Sequence, residues 1–255
     1  MNRSMQDLRN YQNYFVDEKR ALEFEIERPH NCGRLYQFLI SYKFRAALGL
    51  LDQPLNGRSL LEVCSGSGLM AEKFAREGAR VTVSDFSVAA VQRARERARR
   101  HGFMASFAVA DAQRLPFADA SFDVVAVHEG LHNLEQPELA LREMARVAAQ
   151  ALIVMEPADA TLTAWAGELG LSVKRPEGGI EIKRLSPGKV ATLLSAQAFA
   201  RIKWQRALVY DPHVPFKWFS WFDNRAVFAI FRVGFALANL VAGAAGNKLT
   251  LVAQR

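Results

Sequence analysis

Apolar and polar positions alternate in a regular way between residues 59 and 158. Short, almost wholly apolar runs are separated there by stretches whose apolar residues recur every three or four positions. Such runs are typical of strands buried on both faces of a parallel sheet, and such stretches of the helices that cover them. The pattern predicts strands at 59–64, 80–84, 106–110, 122–128 and 151–156, and helices at 69–77, 88–101 and 137–149.

The alternation of apolar runs and helical stretches changes after residue 158. The pattern predicts one more helix at 186–198 and two strands at 202–209 and 248–253, with a long apolar segment between these strands. Because no ordinary crossover helix separates them, we expect an antiparallel pair at the sheet edge. The predicted fold class is therefore α/β, a Rossmann-like, mostly parallel sheet with helices on both faces and an antiparallel C-terminal edge pair.

The same pattern predicts one domain with two appendages. The core comprises residues 56–210 and 246–255, an N-terminal helical cap covers 1–55, and an apolar helical insertion covers 211–245. Residues 1–20 lack the apolar stretch of a secretory signal, and Cys32 and Cys64 have neither disulfide nor metal-ligand spacing. We therefore expect a cytoplasmic protein without a bound metal.

The net charge of +7 is compatible with nucleic acid, an anionic lipid surface or an acidic metabolite. Much of it lies in one arginine-rich stretch with an otherwise helical, alanine-rich pattern. We expect this stretch to form a solvated helix face, because neither base readout nor aromatic stacking is visible in it. Its members are Arg93, Arg95, Arg97, Arg99 and Arg100.

A glycine turn follows the first predicted strand, in the sequence LLEVCSGSG of residues 60–68. Gly66 and Gly68 allow backbone to approach a ligand closely at the start of the next helix. Asp85 ends the second strand, where a carboxylate accepts hydrogen bonds from ribose hydroxyls. These features suit either a nicotinamide dinucleotide or another nucleoside cofactor.

Two further acidic residues favour the second kind of cofactor. Glu62 precedes the glycine turn and Asp111 follows the third strand. An anionic Glu62 suits the ammonium group of an amino-acid-bearing cofactor, and Asp111 can accept from an adenine amino group. Carboxylates so close to the helix start are unfavourable for a pyrophosphate.

Together these residues resemble the successive motifs of class I S-adenosylmethionine-dependent methyltransferases, with a further match in the LPFADASFD of residues 115–123. The resemblance implies that Glu62, Gly66 and Gly68 hold the methionine part of S-adenosylmethionine and that Asp85 holds the ribose. It also implies that Asp111 and Ala112 hold the adenine, with Phe86 against the adenine face or in the core. Cys64 departs from the family, which usually has a glycine there.

The fourth strand leads into His128-Glu129-Gly130-Leu131-His132-Asn133, beyond the carboxyl ends of the strands where ligands bind in such sheets. His132 is the candidate general base for a hydroxyl nucleophile, or else a cofactor-pocket residue. His128 is a weaker candidate of the same kind, and Glu156 a candidate for the substrate cavity. The stretch also resembles quinone C-methyltransferases, but His132 stands where an arginine is usual.

The appendages are expected to select the substrate. The aromatic residues of the first fifty positions either cover the cofactor or pack beneath the sheet; they are Tyr11, Tyr14, Phe15, Tyr36, Phe38, Tyr42 and Phe44.

Residues 227–245 approach the length of a membrane span, but Arg232 lies near the middle. Arg232 and Asn239 share one helical face, and the broad apolar remainder needs a cover. We predict a cap over an apolar acceptor through residues such as Phe228, Phe231 and Phe235, with peripheral membrane contact through 216–245 and ordinary core burial as the alternative.

The sequence thus predicts methyl transfer from S-adenosylmethionine to a small, rather apolar molecule, with a hydroxyl oxygen as the first candidate acceptor. Alternatives are C-methylation of a quinone or other lipid-like acceptor, a nicotinamide oxidoreductase, and a non-catalytic cofactor-binding or scaffold protein. Nucleic acid is not expected as a partner, because the chain lacks the Asn/Asp-Pro-Pro-aromatic string of many base amino-methyltransferases.

Overall fold

The computed structural model describes residues 33–160, 183–209 and 221–255. In this part of the chain, seven strands form one sheet in the order β3-β2-β1-β4-β5-β7-β6. The strands are β1 (Ser59–Val63), β2 (Arg80–Asp85), β3 (Ala105–Val109), β4 (Phe122–His128), β5 (Ala148–Pro157), β6 (Arg201–Ala207) and β7 (Lys248–Gln254). The helices are α1 (Arg34–Leu50), α2 (Leu69–Arg76), α3 (Val88–His101), α4 (Pro137–Val147), α5 (Pro187–Ser195) and α6 (Arg225–Ala242).

Strands β1 to β5 are parallel, and β7 is antiparallel to both β5 and β6. The chain order reverses beside β1, which has β2 on one side and β4 on the other. In open α/β sheets such a reversal opens a crevice beyond the carboxyl ends of the strands. The predicted fold class, including the antiparallel edge pair, is confirmed.

The central strands are apolar because helices cover both of their faces. On one face, α4 and α5 contribute Leu141, Met144 and Leu194 to the core, and on the other α1 and α2 contribute Phe44 and Phe74. All five side chains are buried. The loops at the carboxyl edge therefore start from strands that are packed on both faces.

Most predicted boundaries differ from the observed ones by one or two residues. The largest difference in the core is at residues 148–150. The pattern divides them between a helix and a loop, but they belong to β5, because Ala148 already pairs with Phe122 of β4. The alanine-rich sequence there satisfies helix and buried strand equally well. Helix α5 is also shorter than predicted and ends at Ser195.

The arginine stretch in α3 is only partly solvated, so that prediction was wrong for one member. Arg97 is 1% exposed and is a fully buried side chain. Its Nε donates to the Ser67 carbonyl at 3.0 Å, and its Nη1 donates to Glu72 at 3.0 Å. The guanidinium therefore supports the glycine turn from behind and is not available to an external partner.

The aromatic residues of the predicted cap divide into two groups. Tyr11, Tyr14 and Phe15 lie outside the described residues. Tyr36, Phe38, Tyr42 and Phe44 lie on α1, and Phe44 packs against Phe74 with ring centres 5.3 Å apart. For this second group the structure shows packing against neighbouring elements.

Candidate active site

The predicted site residues meet at the carboxyl edge of the sheet. Asp85 is the last residue of β2, and Glu62 and Glu156 are next to last in β1 and β5. Asp111 follows β3 by two residues, and His132 lies in a short 3-10 helix, Leu131–Asn133, after β4. Residues that are distant in sequence thus share one edge because their strands are parallel.

The glycine turn between β1 and α2 is held in place by Asp85. Gly66 and Gly68 both have positive φ, 52° and 76°, which favours glycine at these positions. The Gly66 N–H donates to Asp85 Oδ2 at 3.0 Å, and the Ser87 N–H donates to Asp85 Oδ1 at 2.9 Å. Asp85 therefore orders the loops after both β1 and β2.

A Cβ at Gly68 would lie 3.0 Å from the Ala94 Cβ on α3. Glycine at this position therefore lets α3 pack closely against the turn, in addition to permitting the positive φ. Together with Arg97, this packing fixes the start of α2.

Three buried polar atoms at this edge have no hydrogen-bond partner among the described residues. They are Glu62 Oε2, Ser65 Oγ and His128 Nε2. Burial raises the pKa of Glu62 to about 8 and lowers the pKa of His128 to about 4. Unsatisfied buried polar groups are costly, so this edge fits a polar ligand that supplies hydrogen-bond partners.

The predicted adenine residues lie beside this cluster. The Gln113 N–H donates to Asp111 Oδ1 at 2.9 Å, which fixes the carboxylate of an otherwise exposed residue. Ala112 is buried, and Phe86, directly after β2, is partly exposed. The structure thus places all three around the outer part of the crevice.

Four carboxylates influence the pKa of a single thiol, that of Cys64, in the middle of the site. The pKa of Cys64 is raised well above its ordinary value, first by burial and then by the negative charges of Asp85, Glu156, Asp111 and Glu62. A region surrounded by so many carboxylates stabilises a cation and repels a pyrophosphate. The residues present therefore fit S-adenosylmethionine, which carries a sulfonium and an ammonium group, better than a nicotinamide dinucleotide.

Cys64, which stands where the family usually has a glycine, adopts an unfavourable backbone conformation. Its φ is +51°, in the left-handed region that favours glycine. Cys64 therefore has a backbone conformation that glycine would adopt at lower cost.

Glu156 is the organising group of the loop after β4. Its Oε1 accepts from the N–H groups of Gly130 and Leu131 at 2.7 and 2.8 Å. Its Oε2 lies 2.8 Å from His132 Nδ1. Because an ionised carboxylate only accepts, Nδ1 carries the proton, and Nε2 of a neutral His132 is left as the acceptor. The sequence identified both residues but not this contact.

A second charged cluster, which the sequence analysis missed, lies behind the same loop. Glu129, with φ +51°, accepts at Oε1 from Lys43 of α1 at 3.0 Å and from Lys248 of β7 at 2.5 Å. These two lysines hold the pKa of Glu129 well below its ordinary value. The partners are 86 and 119 positions away in sequence, so no local pattern indicates them.

Known proteins match the same central region. Residues 61–151 match the family model described as a methyltransferase domain. Residues 61–151 thus have the sequence of a methyltransferase domain.

The relatives match only part of the chain, whereas one solved structure matches nearly all of it. A demethylmenaquinone methyltransferase from Streptomyces griseus is 37% identical over 104 residues, which are 41% of this chain and 44% of the relative. A ubiquinone/menaquinone biosynthesis C-methyltransferase from Hahella chejuensis is 36% identical over 96 residues, 36% of this chain and 39% of the relative. The chain thus spans less than half the length of the curated relatives it matches.

The solved structure of an S-adenosylmethionine-dependent methyltransferase from Thermotoga maritima, a possible histamine N-methyltransferase, has a TM-score of 0.60. It is 16% identical, and the match covers 96% of this chain and 98% of that one. At this identity the likeness shows the fold alone. The family match and the carboxylate-rich edge agree with S-adenosylmethionine as the cofactor of the methyltransferase domain.

Proposed function

We propose that this protein transfers a methyl group from S-adenosylmethionine to a ring carbon of a small, rather apolar acceptor that carries a hydroxyl group. The observation that carries the proposal is the pairing of His132 with buried Glu156 beside the carboxylate-rich edge. The sequence favoured a hydroxyl oxygen as acceptor. The relatives support carbon instead, because their names specify quinone biosynthesis and C-methylation.

The cofactor would be held by the residues that the family resemblance assigns. Glu62 and the glycine turn would hold the methionine part, Asp85 the ribose, and Asp111 with Ala112 the adenine. When bound, S-adenosylmethionine supplies an electrophilic methyl group on a cationic sulfur.

His132 would act on the acceptor as general base. Its Nε2 takes the proton of the acceptor hydroxyl, and the electron pair of that O–H bond increases the nucleophilicity of the ortho ring carbon. This carbon bonds to the methyl group as the bond from that group to sulfur breaks, which leaves S-adenosylhomocysteine. The carbon then loses its hydrogen as a proton to solvent, the ring regains aromaticity, and the imidazolium returns its proton to the acceptor oxygen. Glu156 stabilises the imidazolium formed at His132 and keeps the ring oriented.

The test uses ¹³C-methyl-labelled S-adenosylmethionine and 1,4-naphthohydroquinone as the probe acceptor. Carbon-13 NMR of the product distinguishes a methyl group on a ring carbon from a methoxy group. We expect the ring-carbon signal for the wild type. A methoxy product would refute C-methylation, and tight cofactor binding without any incorporation into the probe would support the non-catalytic alternative.

The role of His132 is tested on the same reaction. We expect His132→Ala to lower kcat by about 10² to 10⁴ while the affinity for S-adenosylhomocysteine stays within a few-fold. Glu156→Gln should also lower kcat, because the imidazolium formed at His132 loses the carboxylate that stabilises and orients it. His101→Ala, at the partly exposed end of α3, is the matched control and should leave kcat unchanged. Turnover of His132→Ala within a few-fold of wild type would mean that positioning alone is sufficient.

A further inference from the structure

Helix α6 presents a continuous aliphatic surface to solvent. Among the described residues it has no buried side chain. We call the outward side the aliphatic face; its large members, all between 57% and 85% exposed, are Ile230, Val233, Leu237, Leu240 and Val241. At 100° per residue these five lie within about 100° of each other around the helix axis. Soluble proteins rarely expose a contiguous apolar surface of this kind without a partner.

The opposite side of α6 is aromatic and already has its partner. Phe228, Phe231 and Phe235 surround Phe38 of α1, with ring centres 5.7, 6.0 and 5.2 Å away. The sequence predicts that these three rings face the substrate, whereas in the structure they attach the helix to the body of the protein. The aliphatic face is therefore the side that remains without a cover in the described structure.

Both ends of α6 are fixed to the sheet and to α1. Just before the helix, Asp223 accepts from the Arg34 backbone N–H at 3.2 Å and from its Nε at 3.1 Å. Near the other end, Asn239 accepts from the Leu208 N–H at 2.8 Å and donates to its carbonyl at 3.2 Å. The helix thus lies along the body over its whole length, which is incompatible with crossing a bilayer.

The segment is nevertheless as apolar as a membrane span. By length and composition alone, residues Arg225–Ala245 could cross a membrane, yet almost none of this segment is buried. A core helix of this composition would be mostly buried. An apolar helix held parallel to the protein surface matches an interfacial, monotopic helix instead.

The charges of α6 indicate the kind of surface that it meets. The helix contains Arg225 and Arg232 and no acidic residue. Both arginines are exposed, and their positions follow one border of the aliphatic face. The guanidinium of Arg232 lies 5.9 Å from the Phe38 ring centre, so this head group is held beside α1 at the border of the helix. Cations at the border of an inserted apolar face are placed to meet lipid phosphates.

We propose that α6 docks the protein on an anionic lipid bilayer, with the aliphatic face in the acyl boundary and the two arginines among the headgroups. The helix is inserted between the end of β6 and the start of β7, and the start of β7 pairs with Pro157 at the carboxyl end of β5. Docking therefore brings the edge that carries His132 and Glu156 close to the membrane surface. A lipid-dissolved acceptor would enter the site from there, and this last step alone depends on the proposed function.

The experiment measures co-sedimentation with vesicles of phosphatidylcholine containing phosphatidylglycerol, and with vesicles of phosphatidylcholine alone. Neither vesicle contains a substrate, so the result is independent of catalysis. We expect the wild type to bind the anionic vesicles, and Ile230→Asp/Leu237→Asp to bind at least about ten-fold more weakly, because two inserted side chains become charged. The single variant Val233→Ser should show a smaller loss in the same direction. Arg225→Ala/Arg232→Ala should remove most of the preference for anionic lipid.

The matched control is Met104→Asp/Leu139→Asp, which alters two exposed apolar side chains on other elements. It should bind vesicles as the wild type does. Size-exclusion chromatography and thermal melting distinguish other occupants of the aliphatic face. A wild-type dimer that Ile230→Asp/Leu237→Asp converts to monomer would replace the membrane by a second copy. A lower Tm of that variant without lipid would indicate a cover within the chain, and absence of wild-type binding would overturn the proposal directly.

Discussion

Two aspartates at opposite ends of the sheet make similar contacts with backbone. Asp85 accepts from Gly66 and Ser87 at the carboxyl edge, and Asp123 accepts from the Ser59 N–H at 2.8 Å at the amino edge. Both stabilise a loop or strand end. Only Asp85 lies at the edge that we assign to the cofactor. Comparing variants of the two aspartates therefore distinguishes a role in cofactor binding from a purely structural role.

We predict that Asp85→Ala weakens binding of S-adenosylhomocysteine by about 1.5 to 3 kcal/mol, because charge-assisted hydrogen bonds to the ribose are lost. Isothermal titration of the folded variant measures this change. Asp123→Ala is the control and should bind as the wild type does even where its Tm is lower. Equal affinities of Asp85→Ala and the wild type would refute the location of the ribose.

At the scale of single residues, the sequence indicated which residues belong to the site better than it indicated what surrounds their side chains. The four site carboxylates were recognised from their positions at strand ends, because that position follows from the strand pattern. Arg97 was placed in solvent because its neighbours are charged, although α3 turns this one arginine inward under the glycine turn. The ion cluster of Glu129 was missed because its lysines come from α1 and β7, and only the folded sheet brings them together.

At the scale of elements, the loops after β1 and β4 are in direct contact. A Cβ added at Gly130 would lie 2.3 Å from the Cβ of Cys64 and 3.3 Å from its Sγ. Such a distance requires one loop to move. Because Cys64 replaces the usual glycine and has positive φ, the two positions form a tight pair in which only one can carry a side chain.

We predict that Gly130→Ala lowers the free energy of unfolding by about 1 to 3 kcal/mol through this overlap. Cys64→Gly should be close to neutral, since relief of the left-handed strain offsets the loss of a partly buried thiol. The double variant should recover most of the stability lost in Gly130→Ala. Urea unfolding of the four proteins completes the cycle, and additive effects would show that the two loops are not coupled.

The helices and strands could be predicted from the hydrophobic pattern wherever their residues are uniformly buried. The boundaries of β4 and α3 agree with the prediction because each apolar run ends at charged residues or glycine. The border between α4 and β5 did not, since its alanine-rich residues fit both states. For α6 the pattern predicted an apolar helix, but the sequence could not indicate that its aromatic side, and not its aliphatic side, packs on α1.

At the scale of the whole molecule, two buried groups set opposite dependences of stability on pH. The pKa of Glu62 is raised to about 8, so the folded state holds a proton that the unfolded chain releases near pH 4.5. Stability from this group is complete below pH 4.5 and falls as pH rises to about 8. The pKa of His128 is lowered to about 4, so the unfolded chain holds the extra proton between pH 4 and 6.5. Stability from His128 therefore rises with pH over that range.

The sum predicts a wild-type stability that changes little between pH 4.5 and 6.5 and then falls towards pH 8, because only Glu62 still acts above pH 6.5. In Glu62→Gln the fall should disappear, which makes this variant more stable than wild type at pH 8 by on the order of 2 to 4 kcal/mol and similar to it near pH 4.5. Thermal melting across this range measures both profiles. Acidic residues with lowered pKa, such as Asp123 and Glu129, act only below this window.

The cofactor provides the second half of this test. A cationic ammonium group beside Glu62 favours the ionised carboxylate, so S-adenosylhomocysteine should raise the wild-type Tm more at pH 8 than at pH 5.5. In Glu62→Gln the gain in Tm should be smaller and nearly independent of pH. Parallel profiles of the two proteins with the cofactor product would mean that Glu62 is buried for structural reasons and that the ammonium group binds elsewhere along the carboxyl edge.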